Sequence, residues 1–216
     1  MIQASQTRRQ LRDFALRLVL IAASLLALGR IFASPLITPV LPAFAWVIEA
    51  ADYRYRVDSI AIDPSKTFIK LTVTPIHALV ISGSRVLLPD AALHFYPSAL
   101  VGSVLQPIIL LLAVVLAWPA TTLAALAMRL LLAVPATVVL LFVNVPRALL
   151  GSLIDFREIF PDAPVSLIVY WNDFLQTGGP LVLGLAAGAL VVSAGDALGY
   201  GDSSRASLAG RSSAVP

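Results

Sequence analysis

Ala91 to Met128 reads AALHFYPSALVGSVLQPIILLLAVVLAWPATTLAALAM and contains no Asp, Glu, Lys or Arg. Two further uncharged runs follow, Leu130 to Pro146 and Phe174 to Gly195. A helix of roughly 20 apolar residues covers the roughly 30 Å hydrocarbon layer of a bilayer, so runs of this length have lipid as their natural solvent. The chain therefore reads as an α-helical integral membrane protein. Its composition agrees: 59% hydrophobic, 12% charged and a mean hydropathy of +0.91, against about 25% charged residues in soluble globular domains.

The formal charge of +3 and a pI near 9.6 would fit an acidic partner such as nucleic acid. The excess sits mainly at the N-terminus, however, where Arg8, Arg9, Arg12 and Arg17 precede or enter the first apolar run, Phe14 to Ala33. It reads as a topology signal and no nucleic-acid partner is expected. The basic front and apolar middle also begin like a secretory signal. The run is long for a signal, and apolar sequence resumes at once through Pro35 to Ala51, so a retained anchor is the expected reading. The absence of cysteine removes disulfides, thiolate nucleophiles, zinc fingers and iron–sulfur ligation together.

Under the positive-inside rule the arginines hold residues 1–13 in the cytoplasm, and a first crossing spans 14–34. Arg30 then snorkels from the outer end of that helix. Residues 35–51, broken by Pro35, Pro39 and Pro42, read as a short interfacial helix with Trp46 at headgroup level, a re-entrant hairpin being the other reading.

From 52 to 98 the period changes to two. Tyr53, Tyr55 and Val57 alternate with Arg54, Arg56 and Asp58, and Ile69, Leu71 and Val73 alternate with Lys70, Thr72 and Thr74. This predicts half-buried antiparallel strands, with Asp63-Pro64-Ser65 and Ser82-Gly83-Ser84 as turns, and further strands over Ala78 to Ser82 and Val86 to Tyr96. Roughly 45 residues make a marginal independent core, so this β domain is expected to rest on the membrane or a partner.

A second crossing is expected over 99–118 and a cytoplasmic turn over 119–127. Two placements compete for the third. A helix starting at Thr121 puts Arg129 inside the hydrocarbon, whereas 128–149 leaves Arg129 at the inner boundary and Arg147 at the outer one; avoiding a buried charge favours the second. An outer acidic loop fills 150–173, a fourth crossing 174–198, and a disordered cytoplasmic tail 199–216. The expected architecture is four crossings with both termini inside and a small antiparallel β domain on the extracytoplasmic side.

Candidate chemistry is sparse. His77 and His94 would need carboxylates such as Asp90 or Asp58 to hold a metal, and their spacing does not bring these together. Asp155, Glu158, Asp162 and Asp173 could bind a hard cation, but Arg157 among them points to solvated ion pairs. Ser103 has no histidine or lysine base within any proposed crossing. Gly178-Gly179-Pro180 lacks the lysine and the strand-to-helix context of a phosphate loop. No catalytic residue, metal or cofactor is therefore assigned, and no small-molecule substrate is identified.

Association is better represented. Gly184 and Gly188 put small residues on one helix face, allowing close approach of another helix of this chain or of a second protein. Trp171, Asn172 and Asp173 stand just ahead of that helix, and Tyr53 and Tyr55 open the β domain; these seven residues form the expected partner-binding set. The order of parts resembles the small membrane proteins associated with exosortases, particularly the exosortase H-associated type. The carrying features are the arginine-led anchor, the Pro-rich stretch Pro35 to Ala51, the strand domain, and three crossings of which the last is opened by Tyr170 to Pro180. The resemblance is one of layout across most of the chain. It implies an accessory role beside a cysteine enzyme that this cysteine-free chain could not itself be. The expected function is a non-enzymatic bacterial inner-membrane accessory or scaffold subunit, with the bilayer and another integral membrane protein as partners. A transporter or channel subunit is the alternative, disfavoured by the scarcity of ionisable groups in the crossings.

Overall fold

The structure, a computed structural model, describes residues 2–82, 85–87, 93–120, 122–154 and 167–212. Its helices are α1 (Ile2–Ile37), α2 (Leu41–Ala51), α3 (Val101–Ala117), α4 (Leu123–Ile154), α5 (Leu167–Gln176) and α6 (Gly179–Ser212). A 3-10 turn, Thr38–Val40, joins α1 to α2. The strands are β1 (Tyr55–Ile62), β2 (Phe68–Pro75), β3 (Leu79–Ser82), β4 (Arg85–Leu87) and β5 (Ser98–Leu100).

Among the described residues, three helical spans are long and apolar enough to cross a membrane: Leu11–Ala51, Leu123–Gly151 and Gly179–Leu198. The segment read as the second crossing becomes α3, whose 17 residues rise roughly 26 Å at 1.5 Å each, the lower limit for a bilayer core. Its first expected residues, 99 and 100, belong instead to β5. α1 continues past the expected exit at Ser34 to Ile37, and Thr38 Oγ1 donates back to the Ser34 carbonyl at 2.7 Å. α6 continues to Ser212, through the stretch expected to be unstructured.

The chain divides into two compact units. One comprises Met1–Leu28, Pro107–Val139 and Leu181–Pro216; the other comprises Gly29–Gln106 and Leu140–Pro180. The second holds both sheets. β1, β2 and β5 form an antiparallel sheet in the order β1-β2-β5, and β3 pairs with β4 separately. The alternation holds at the start of Phe68–Pro75, where Ile69, Leu71 and Val73 are fully buried and Lys70 is exposed; Thr72 is half-buried and Thr74 is buried. Ile69, Leu71 and Val73 meet Phe44 and Ile48 of α2, Val101 and Val104 of α3, and Val145, Leu149 and Leu150 of α4 in one core. Each large aliphatic side chain so buried contributes roughly 1.5–3 kcal/mol, so the helices supply the mass that the sheet alone lacks.

The β1–β2 turn falls where Asp63-Pro64-Ser65 predicted it. Lys66 N–H bonds the Asp63 carbonyl at 2.7 Å, Ser65 Oγ donates to Asp63 Oδ2 at 2.8 Å, and Lys66 takes the left-handed conformation at φ 57°. Gly83 and Ser84 of the second predicted turn lie outside the described residues, as do 88–92, but the flanking β3 and β4 pair. The predicted strand over Val86 to Tyr96 is instead β4 followed, after the undescribed stretch, by an isolated bridge from Phe95 to Val73.

Candidate functional site

The expected partner-binding residues separate in space. Tyr53 is 75% exposed, its ring edge-on to His77, whereas Tyr55 is 3% exposed and packs on Phe95. The period-two reading placed both on one strand face. The strand begins only at Tyr55, because Asp52 closes α2 through its N–H to the Ile48 carbonyl and holds Arg54 bidentately at 2.8 and 2.6 Å. That hydrogen-bonded carboxylate raises the Arg54 pKa, and burial pushes the Tyr55 phenol up to about 12. Tyr55 is thus a core residue and is corrected from the docking set.

Trp171 and Asp173 lie on α5, half-buried, with the Trp171 ring on Phe174 at 5.2 Å; Asn172 is on the same helix, its side chain outside the described ones. Asp155, Glu158 and Asp162 also lie outside the described residues. Among the described residues no group of three metal-ligating side chains occurs.

Gly184 and Gly188 face α3 of the same chain. A Cβ at Gly184 would stand 2.5 Å from the Pro107 carbonyl oxygen, and one at Gly188 would stand 2.8 Å from Val114 Cβ. The small-residue face is therefore met by α3 of the chain itself, the first of its two expected occupants.

Two turns further, Gly195 meets Arg129, whose Cγ would lie 2.6 Å from an added Cβ. Arg129 is 2% exposed. Its Nε and Nη2 donate to Asp196 Oδ1 at 3.0 and 2.6 Å, and Nη1 and Nη2 donate to the carbonyls of Trp118 and Pro119 at 3.2 Å each. α4 runs from Leu123, so Arg129 lies two turns inside the helix and is buried in protein. The helix starts at Leu123 because Thr122 Oγ1 accepts the Ala125 N–H at 3.1 Å, an N-cap. The charge cost that argued against this placement is met by Asp196, which lies one residue beyond the uncharged run and was not weighed as a partner.

A second polar cluster also escaped the spacing argument. Thr74, 3% exposed, donates through Oγ1 to Asp58 and meets His94 Nδ1 at 2.9 Å, and His94 Nδ1 stands 3.4 Å from Asp58 Oδ2. Asp58 occupies an irregularity of β1 between Val57 and Ser59, which turns its side chain toward Thr74. The Thr74 hydroxyl, foremost, and Arg56 hold the Asp58 carboxyl below the usual range. His94 presents no third ligand and Thr74 is buried, so the cluster is a sheet-bracing network.

A cavity of about 560 Å³ lies in the sheet-bearing unit. Ser98, Ala99 and Leu100 of β5, Ser103 and Gln106 of α3, Asn144 of α4, and Gln176 at the end of α5 line it, with Phe68, Leu175 and Pro180 as apolar walls. None of the described lining residues is charged. Asn144 is 5% exposed, and neither its Oδ1 nor its Nδ2 has a hydrogen-bond partner among the described residues. Pro107, without an N–H, leaves the Ser103 carbonyl without its helical donor. A buried carboxamide left in this state costs about 1–3 kcal/mol unless something satisfies it. Asn144 is the single carboxamide in the run Leu130 to Pro146, a signal that a search for charges alone passes over.

Comparison with protein-family models, with curated proteins and with solved structures finds no match to this chain.

Proposed function

We propose that this chain is a non-enzymatic accessory subunit of a bacterial inner membrane, with four crossings, both termini in the cytoplasm, and its sheet-bearing unit outside, where it docks another integral membrane protein. The resemblance in layout to exosortase-associated proteins supports a partner in a surface-protein sorting or export system. The observation that carries the reading is the display of large aromatic side chains by the sheet-bearing unit: Tyr53 at 75%, Tyr96 at 72% and Trp46 at 70% exposure. Tyrosine and tryptophan are enriched among the few residues that carry most of the binding energy of protein interfaces. The glycine face of α6, by contrast, is occupied from within, so docking falls to the sheet-bearing unit.

Copurification from native membranes tests this. A fixed partner retained by wild type and lost by Tyr53→Ala combined with Tyr96→Ala supports the reading; no fixed partner, together with solute flux by the purified chain, replaces it with transport. Reporter fusions should place Ser65 outside and Ser207 inside, and an externally accessible Ser207 would contradict the topology.

A further inference from the structure

The two edges of the three-stranded sheet are finished differently. At β1 the outward Val57 N–H is taken by Glu49 Oε1 at 3.0 Å, the Tyr55 N–H by the Asp52 carbonyl at 3.3 Å, and the irregularity at Asp58 breaks the line. These are the devices by which a sheet edge is closed to further pairing. At β5 the register pairs Ala99 with Ile69, flanked by Val101 N–H to the Thr67 carbonyl at 2.9 Å and Leu71 N–H to the Pro97 carbonyl at 3.0 Å. Alternation along an antiparallel strand then turns the N–H and C=O of Ser98 away from β2. The cavity touches Ser98, Ala99 and Leu100 in succession. Because successive side chains point to opposite sheet faces, a cavity that meets all three runs along the strand edge.

The chemistry of the lining selects the occupant. With no charged residue among the described lining, a phosphate, carboxylate or ammonium group would be desolvated without a counter-charge. Asn144 offers an idle donor and an idle acceptor together, and Gln106 and Gln176 are carboxamides of the same kind. An ester, as in a lipid glycerol region, only accepts; a peptide group does both. The volume falls in the range of pockets that enclose a ligand of several residues or a drug-sized molecule.

We propose that the cavity beside β5 holds an extended, uncharged peptide segment, its backbone pairing with the outward N–H and C=O of Ser98 and one of its peptide groups with the Asn144 carboxamide. This is strand addition at a sheet edge, with an internal amide fixing the register. The inference rests on the docking reading for the existence of a partner, and it adds which part of that partner is held and by which groups.

The test uses the full chain in nanodiscs and, as probe, a short N-acetylated, C-amidated peptide of alternating valine and serine with a central photoreactive benzophenone. Saturable labelling is expected, mapping by mass spectrometry to the β5 and α3 lining residues. Asn144→Leu should reduce it roughly tenfold, the value of one lost hydrogen bond of about 1.4 kcal/mol. Ser98→Pro removes the outward N–H while leaving the ladder to β2 intact, and should reduce labelling similarly; unchanged melting of each variant shows that folding is retained. Absence of saturable labelling, labelling unaffected by both substitutions, or displacement of the probe by dioleoylglycerol but not by excess unlabelled peptide would overturn the proposal. The two readings fail separately. A partner that copurifies equally with wild type and Asn144→Leu, without probe labelling, sinks the peptide site and leaves docking standing, whereas labelling without any copurified partner does the reverse.

Discussion

Arg129, in the unit built from Met1–Leu28, Pro107–Val139 and Leu181–Pro216, and Asn144, in the sheet-bearing unit, are both more than nine-tenths buried, but their surroundings differ in kind. Arg129 donates four hydrogen bonds, to a carboxylate and two carbonyls, and a glycine clears room for its stem. Asn144 has a cavity beside it and, among the described residues, no partner for either amide atom. A buried polar group whose partners are all internal belongs to the framework, while one whose partners are missing beside an open volume is positioned for something that arrives. Burial and polarity alone do not separate the two roles; the account of hydrogen-bond partners does.

The comparison is most severely tested by cutting the Arg129 network. Asp196→Leu leaves a buried guanidinium with two carbonyls and no counter-charge, and should cost roughly 3–5 kcal/mol in chemical unfolding of the detergent-solubilised protein. Combining it with Arg129→Leu should restore most of that loss, since an apolar pair has no charge to strand. If the single substitution is neutral, Arg129 reaches water and is not part of the framework.

Glycines sharpen the same contrast with a smaller effect. Gly184→Ala drives a Cβ into the Pro107 carbonyl, backbone against backbone, and should cost about 1–3 kcal/mol through displacement of α6. Gly102→Ala, beside the cavity lining, meets nothing within 4 Å and should be neutral or slightly stabilising. Equal costs at the two positions would remove the distinction between a packed helix contact and an open site.

Acid should act on the sheet. The Asp58 and Asp63 carboxyls are both held below their ordinary range, Asp58 foremost by Thr74 and Asp63 foremost by Ser65. A carboxylate whose folded pKa is depressed lends stability that is present above its unfolded pKa, about 3.9, and lost as pH falls through the folded value. Tyrosine ellipticity should therefore report weakening of the β1–β2 hairpin as pH drops below about 4. Thr74→Val, by removing the principal cause at Asp58, should flatten that dependence. A hairpin indifferent to acid would show these carboxylates to be equally at ease in the unfolded chain.

Much of this framework was legible beforehand. Uncharged runs marked the helices, and the alternation of Ile69, Leu71 and Val73 marked the buried face of β2, because both signals are local. Most of what escaped depends on residues distant in sequence, though one local clamp escaped too. Arg129 was set at the inner boundary of the third helix to avoid burying a charge, and Asp196, 67 positions away, is the counter-ion it meets. Tyr53 and Tyr55 were joined by a strand that in fact starts between them, after the Asp52–Arg54 clamp. Asp58 and His94 meet only because β1 and the segment at Phe95 flank Val73 and Thr74 of β2 from opposite sides. Asn144 was visible as a polar residue in an apolar run, but its lack of partners is a property of the fold.

The smallest stability effect carries the most information. Asn144→Leu replaces an unpaired buried amide by an apolar side chain of similar size, so unfolding should be unchanged or slightly more difficult, while labelling by the uncharged photoreactive peptide falls roughly tenfold. Measured on the same nanodisc preparation, stability kept with labelling lost is the result this account predicts. A loss of stability comparable to that of Asp196→Leu, with labelling intact, would make Asn144 part of the framework and contradict it.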